Sequence, residues 1–365
     1  MTQSARVRHL KPVHVIFLGQ NVMVGYSVIV LPHLLSPAGH TQWWLVIMMA
    51  IIAQLTLIPM TILAGKYPEL NLFEINRKLL GLWIGSVCNY AIVIYGVFQT
   101  AVVVSGYVML VGTVSLPDMN TYLPLIALLL VVAYIVFGGI RHIARMCILS
   151  FILTGWIIYC LKWSMQKGEF TNLLPLFPLA PWEHTWTAFL SGFPSMFGFE
   201  LVLFYFPYII NRKQALKHAS IGLWITVLLY LSVSFAGVIY FSRWQLENVQ
   251  YPLLDILKSV EFTFVERIEN LGLALWLFTV VTTAAAYLWV SAKGLDGLWR
   301  KKRSLHIYLC VAAVFVIIRV PSATIIKYAY YYQYANVAGY ILILWSLLLL
   351  GLHFISQRKA ARHDK

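Results

Sequence analysis

Residues 191–200, Ser-Gly-Phe-Pro-Ser-Met-Phe-Gly-Phe-Glu, constrain this chain more than any other stretch. They lie inside an apolar segment over 186–210, long enough to cross a bilayer, which takes ~20 apolar residues in a helix. The middle of the segment opposes a continuous helix. Pro194 lacks a backbone donor and clashes with the preceding turn, while Gly192 and Gly198 let the backbone leave helical geometry. The expected result is a broken helix whose freed N–H and C=O groups face a cavity, because lipid would leave them unpaired. Glu200 closes the stretch. A carboxylate at that depth costs ~3 kcal/mol on insertion scales and marks a functional site by default. The structural alternative is a proline kink with Glu200 protonated and paired.

The rest of the chain supports a membrane setting. Of its 365 residues, 61% are hydrophobic and 11% are charged, against ~25% charged in soluble domains. The apolar runs are continuous rather than alternating, which excludes a transmembrane barrel. The fold class is therefore an all-α polytopic membrane protein, one transmembrane domain over 1–365. Ten spans are expected, at 13–34, 43–64, 80–114, 122–137, 144–163, 186–210, 221–241, 271–292, 305–320 and 334–354. The third is the least regular. Residues 79–117 carry no charge, and at 1.5 Å per residue that run is too long for one upright helix, so it reads as a long, tilted span. The first apolar run lacks a small-residue cleavage site and more spans follow, so no cleavable signal is expected. Residues 166–184, with Pro175, Pro178 and Pro181, read as a surface loop.

Charge sets the orientation. With both termini on the cytoplasmic side, the inner segments hold 20 of the 27 Lys and Arg residues and the outer ones 7, a positive-inside bias. The net charge of +14 is thus a property of one membrane face, and no nucleic-acid partner is implied. The longest polar gap, 242–270, places Leu253, Leu254, Ile256, Leu257 and Val260 at helical spacing against Asp255, Lys258 and Glu261. It reads as an amphipathic helix over the outer mouth, or as an ordinary interfacial helix. Cys88, Cys147, Cys160 and Cys310 sit in or beside apolar runs without metal-ligand spacing. Neither a metal nor a cofactor is expected.

Span 1 is also interrupted, by Gly19-Gln20-Asn21, Gly25 and Ser27 before Leu31-Pro32. Spans 1 and 6 each open one half of five, the pattern of a five-plus-five inverted-repeat transporter fold with broken helices 1 and 6. Half-helix N-termini at mid-membrane can hold a carboxylate without a formal cation. Half-helix C-termini offer carbonyls to an ammonium, so an α-amino acid is the natural ligand. Span 3 adds Tyr95 and Gln99, one turn apart, and span 8 adds Thr282, Thr283 and Tyr287. The alternative for the threonines is a hydroxyl bonded to its own i−4 carbonyl. There is no Gly-x-Ser-x-Gly, His-Glu-x-x-His or P-loop motif, and no enzyme is expected. Span 5 has no mid-helix lysine to act as a built-in coupling cation.

These residues resemble a known family, the B subunits of spore nutrient-germinant receptors, a branch of the amino acid–polyamine–organocation transporters. The matching stretches run through nearly the whole chain. They are Asn21-Val-Met-Val-Gly25 with Leu31-Pro32, Tyr67-Pro-Glu-Leu-Asn-Leu-Phe-Glu74 and Leu80-Gly-Leu-Trp-Ile-Gly85. Further along come Phe197-Gly-Phe-Glu200 with Pro207, Tyr251-Pro252 with Phe264-Val-Glu-Arg-Ile-Glu269, Thr282-Thr283 with Tyr287, and Lys293-Gly-Leu295. The resemblance implies a ligand pocket between spans 1, 3, 6 and 8, using Gly25, Tyr95, Gln99, Phe197, Thr283 and Tyr287. Asn21, Gly192, Pro194, Gly198, Glu200 and Thr282 would form or couple the helix breaks. The chain departs from the pattern in the bulk of Gly25-Tyr26-Ser27 and in the polar Gln99. The resemblance further implies a germinant of the amino-acid kind, partner A and C (lipoprotein) subunits, and the spore inner membrane. A true amino-acid permease or a scaffold subunit would carry the same residues.

Overall fold

A computed structural model describes residues 9–115, 120–175, 180–261, 267–299, 302–319 and 324–363. Phe264, Val265 and Glu266 of the outer-loop motif, Pro178, and the basic residues Arg6, Arg8, Arg300 and Lys301 lie outside them. The described chain is helical, with one isolated parallel bridge, Leu10 to Ile209. Its α-helices are α1 Pro12–Val24, α2 Ser27–Leu34, α3 Trp43–Lys66, α4 Leu72–Val114, α5 Tyr122–Phe137, α6 Ile140–Thr154, α7 Leu161–Lys167 and α8 Trp182–Gly192. They continue as α9 Val202–Tyr205, α10 Ala215–Tyr240, α11 Arg243–Asn248, α12 Pro252–Lys258, α13 Ile268–Leu298, α14 Arg303–Arg319 and α15 Thr324–His363.

Six continuous stretches are long and apolar enough to cross a membrane, and two bent pairs bring the number to 8. One pair is α1 with α2, bent by 51°. The other joins Trp182–Met196 to Phe199–Tyr208 at 42°. The helices α5 and α14, with 16 and 17 residues, are shorter than the ~20 residues that span the hydrocarbon core upright. This is a multi-pass membrane protein; among the described residues six helices meet the length requirement, or eight with each bent pair taken as one span.

Several boundaries differ from the sequence expectation, each for a local reason. The third span begins at Leu72 rather than near 80, because Asn71 and Glu74 form a reciprocal capping box: the Glu74 N–H donates to Asn71 Oδ1 at 3.1 Å and the Asn71 N–H to Glu74 Oε2 at 2.9 Å. That helix then breaks at Gly81, at φ +81°, and Gly85 packs onto the Arg77 backbone so closely that a Cβ would lie 2.8 Å from its Cα. Asn76 and Asn89 pin the fold-back: Asn76 Nδ2 donates to Asn89 Oδ1 at 2.8 Å, and Asn89 Nδ2 to the Phe73 carbonyl at 2.9 Å. The fifth span starts at Ile140 and continues through a 3-10 turn, Gly155–Cys160, into α7. The stretch read as a surface loop contains the end of α7, a short turn Phe170–Leu173 and the start of α8. In α12, Leu253, Leu254, Ile256 and Leu257 are buried, while Lys258 and Asp255 pair at 2.6 Å on the other face.

The core holds α1, α4, α10 and α13, whose inner faces are buried almost throughout. In lipid the hydrophobic effect does not drive helices together, so packing and interhelical hydrogen bonds hold such a core. Small residues allow the close approach: a Cβ on Gly96 would meet the Tyr287 carbonyl at 2.9 Å, which seats α4 directly on α13.

Candidate functional site

The break in the sixth span falls at Phe197 and Gly198. After α8 a 3-10 turn, Phe193–Met196, runs into Phe197 in extended geometry, and Gly198 takes φ +128°. A Cβ at Gly198 would lie 2.9 Å from Met23 N and 3.0 Å from the Val22 carbonyl carbon. The two broken spans therefore touch backbone to backbone, and only glycine fits both the dihedral and the space. Immediately beyond sits Glu200, fully buried at 0% exposure. Its Oε2 accepts the Gly198 N–H at 2.6 Å. Its Oε1 accepts the hydroxyls of Tyr95 at 2.8 Å and Tyr287 at 3.0 Å. Those two rings meet edge to face at 5.8 Å. One carboxylate thus joins the broken span to α4 and α13.

The first break is closed by side chains. Gly25, at φ +39°, keeps a helical bond to the Asn21 carbonyl at 3.2 Å, and its own carbonyl accepts Trp276 Nε1 at 2.8 Å. A Cβ at Gly25 would meet Thr283 Oγ1 at 3.3 Å. The Thr283 hydroxyl lies 3.2 Å from the Asn21 carbonyl and 2.9 Å from its own i−4 carbonyl of Thr279. The Thr282 hydroxyl faces Asn21 Oδ1 and also lies 2.9 Å from the Phe278 carbonyl. The functional and the self-bonded readings of these threonines are thus both present in the geometry. Tyr230 ties the two breaks together: its hydroxyl is 2.8 Å from both the Met23 and the Ser195 carbonyls.

The sequence candidates fall into three groups. Gly25, Asn21, Thr282 and Thr283 form one cluster where α1 meets α13. Tyr95, Tyr287, Gly198 and Glu200 form a second, at the point where the breaks meet. Phe197, Gln99 and Gly192 stand apart. Phe197 packs edge-on to Phe193 and Tyr340, at 6.0 and 5.4 Å, and covers Gly339. Gln99 does not share a surface with Tyr95; its Nε2 donates to the Ala335 carbonyl at 3.3 Å. Gly192 gives room to the Leu35 side chain. A cavity of about 220 Å³ lies beside the breaks, lined by Tyr26, Ser27, Gln99, Pro194, Gln250 and Asn336 among others. Among the described residues its walls carry no lysine, arginine or carboxylate, and His33 lines it as well.

Trp276 and Tyr230 escaped the sequence reading. Both are large aromatic residues with one polar atom inside apolar helices, and such residues find a hydrogen-bond partner when buried. That is the signal by which they could have been found.

The model sequence of the spore germination protein family matches residues 9–325. The chain belongs to the spore germination protein family. It is 26% identical over 251 residues to spore germination protein GerQB of Bacillus cereus, covering 68% of each chain. It is 24% identical to spore germination protein A2 of Bacillus subtilis (strain 168), covering 97% of each. The resemblance to germinant-receptor B subunits, read from the motifs, is thereby borne out. Among solved structures, MhsT in complex with L-phenylalanine superposes with a TM-score of 0.66 at 13% identity, covering 95% of this chain and 89% of that one. That likeness gives the fold, a transporter-type helical bundle. The family is permease-like and not an enzyme family.

Proposed function

We propose that this chain senses a nutrient germinant by binding an amino-acid-like ligand where the two broken spans meet, and signals through partner subunits. The observation that carries the reading is the backbone contact between the breaks, Gly198 on Met23 and Val22, beside a cavity of about 220 Å³. The first turn of a helix has N–H groups without intrahelical partners, and α2 begins at Ser27, in the wall of that cavity. A ligand carboxylate fits there, with Gln99 and Asn336 as polar neighbours and Val102 and Val103 against an apolar side chain. A zwitterion suits walls whose described residues include no lysine, arginine or carboxylate. Gly25, Thr283, Tyr95, Tyr287 and Phe197 lie outside the lining of this cavity, and in this reading the ligand engages them as the breaks rearrange.

The same reading places ten spans in the spore inner membrane with both termini on the cytoplasmic side, in complex with an A subunit and a C lipoprotein. Ligand binding shifts a two-state equilibrium of that assembly by its differential affinity for the two states. A second reading, an amino-acid permease, draws on the fold shared with MhsT. Uptake of radiolabelled amino acids into vesicles holding this chain alone separates the two. Sensing predicts saturable binding without accumulation; concentrative uptake at a rate that follows binding supports the permease instead.

A further inference from the structure

We propose that the hollow between α3 and α4 binds the phosphate headgroup of an anionic membrane lipid. It is a cavity of about 490 Å³ lined by Lys66, Tyr67, Pro68, Glu69, Leu70, Glu74, Arg77 and Lys78. Three cations share it with two carboxylates, and both carboxylates are engaged. Glu69 is bound by the Arg212 guanidinium through two nitrogens, at 2.6 and 3.2 Å. Glu74 caps the N-terminus of its own helix through the Asn71 N–H. The cations keep capacity to spare. Arg77 commits one nitrogen to the Gly297 carbonyl at 2.7 Å, out of five N–H donors. Lys78 Nζ lies 4.8 Å from the Tyr67 ring centroid, and neither Lys78 nor Lys66 forms an ion pair among the described residues. The hollow is a positive seat for a phosphate.

What lies next to it selects a lipid over a soluble anion. Directly after the Gly81 break the chain turns outward with Leu82, Trp83 and Ile84 exposed at 74, 89 and 60%, followed by Val87. Such a run of exposed apolar side chains faces acyl chains, and a tryptophan at its edge sits at headgroup depth. Arg77 and Lys78 thus directly precede the exposed apolar run in α4, an order that suits a charged part at the membrane boundary and an apolar part in the hydrocarbon. The break at Gly81 creates this adjacency by folding 72–80 off the axis of the span.

A headgroup held here would touch residues that reach the core helices. Arg77 grips the C-terminal end of α13, the helix of Thr283 and Tyr287. The Tyr67 hydroxyl bonds His353 Nδ1 of α15 at 2.7 Å. Glu69 holds Arg212, which also donates to the Pro207 carbonyl at the exit of the sixth span.

The test uses the full chain purified in detergent and native mass spectrometry. Phosphatidylglycerol is expected to stay bound where phosphatidylcholine does not, and Lys66→Gln with Lys78→Gln to weaken retention about 25-fold, at roughly fivefold per cation near a headgroup. Lys162→Gln, remote from the hollow, leaves retention unchanged. Lys78→Gln alone, at an exposed position, keeps the test available if the double change disturbs folding. Equal phosphatidylglycerol retention by wild type and both variants overturns the proposal. So does displacement of the lipid by millimolar inorganic phosphate, which would make the hollow a site for a free anion.

Discussion

Glycine and tyrosine, with the Glu200 carboxyl that accepts from both, hold the centre of this protein. Gly198 combines a left-handed φ of +128° with backbone contacts that leave no room for a Cβ. Gly198→Ala forces the two breaks apart, with strain of ~1–3 kcal/mol from the dihedral alone, and lowers the melting temperature in detergent. Gly25→Ala is milder, because its φ is +39° and the neighbour that must yield is the Thr283 side chain. Equal destabilisation by the two would contradict this ranking. The carbonyls freed by the breaks rely on Tyr230 and Trp276. Tyr230→Phe strands the Met23 and Ser195 carbonyls and costs ~1–3 kcal/mol, the range for an unsatisfied buried partner, which thermal unfolding of the purified chain measures. An unchanged melting temperature would mean that water satisfies both carbonyls.

At the scale of elements, the breaks were legible because their cause is local. Pro194 and Gly198 disrupt a helix wherever it packs, and Gly25 marks a departure that no other residue tolerates as well. The Gly81 break was not legible, since a single glycine in an uncharged run looks like any helical glycine until Gly85 folds back onto Arg77. The true start at Leu72 was hidden for a related reason. Glu74, Arg77 and Lys78 place charge ahead of the apolar run, so the span is expected only from 80, although the capping box of Asn71 and Glu74 opens a helix there. Asn71→Ala removes that cap and costs ~1 kcal/mol, visible as faster amide exchange over 72–80. Helical spacing put Tyr95 and Gln99 on one face but could not name their partners, and the chain sends one to Glu200 and the other to Ala335. At the end of the fifth span, Lys167 bonds Glu261, which lies beyond the spans, at 2.6 Å and the Ser259 carbonyl at 2.9 Å. The Lys167 hydrogen bond holds the Glu261 carboxyl below its ordinary value. A depressed carboxyl stabilises the fold above its unfolded value and loses that contribution as pH falls through the folded one. Acidification through the carboxylate range therefore loosens the tie between 167 and 259–261, and Glu261→Gln removes that pH dependence of amide exchange at Val260.

For the molecule as a whole, a transporter-type bundle carries its two interruptions to a single meeting point and closes them with hydrogen bonds from α4, α10 and α13. Under the proposed sensing role, each bond across the breaks is one that a bound ligand would replace in shifting the chain between two states. If the proposal holds, loss of a single hydroxyl bond worth ~1.4 kcal/mol of differential binding shifts the dose–response about tenfold. The most direct measurement is germination of spores carrying Thr283→Ala or Tyr287→Ala, titrated with a panel of amino acids, with the level of the chain followed by immunoblot. A raised half-maximal concentration at normal protein level is the expected result. An unchanged dose–response in both variants would contradict ligand sensing where the broken spans meet.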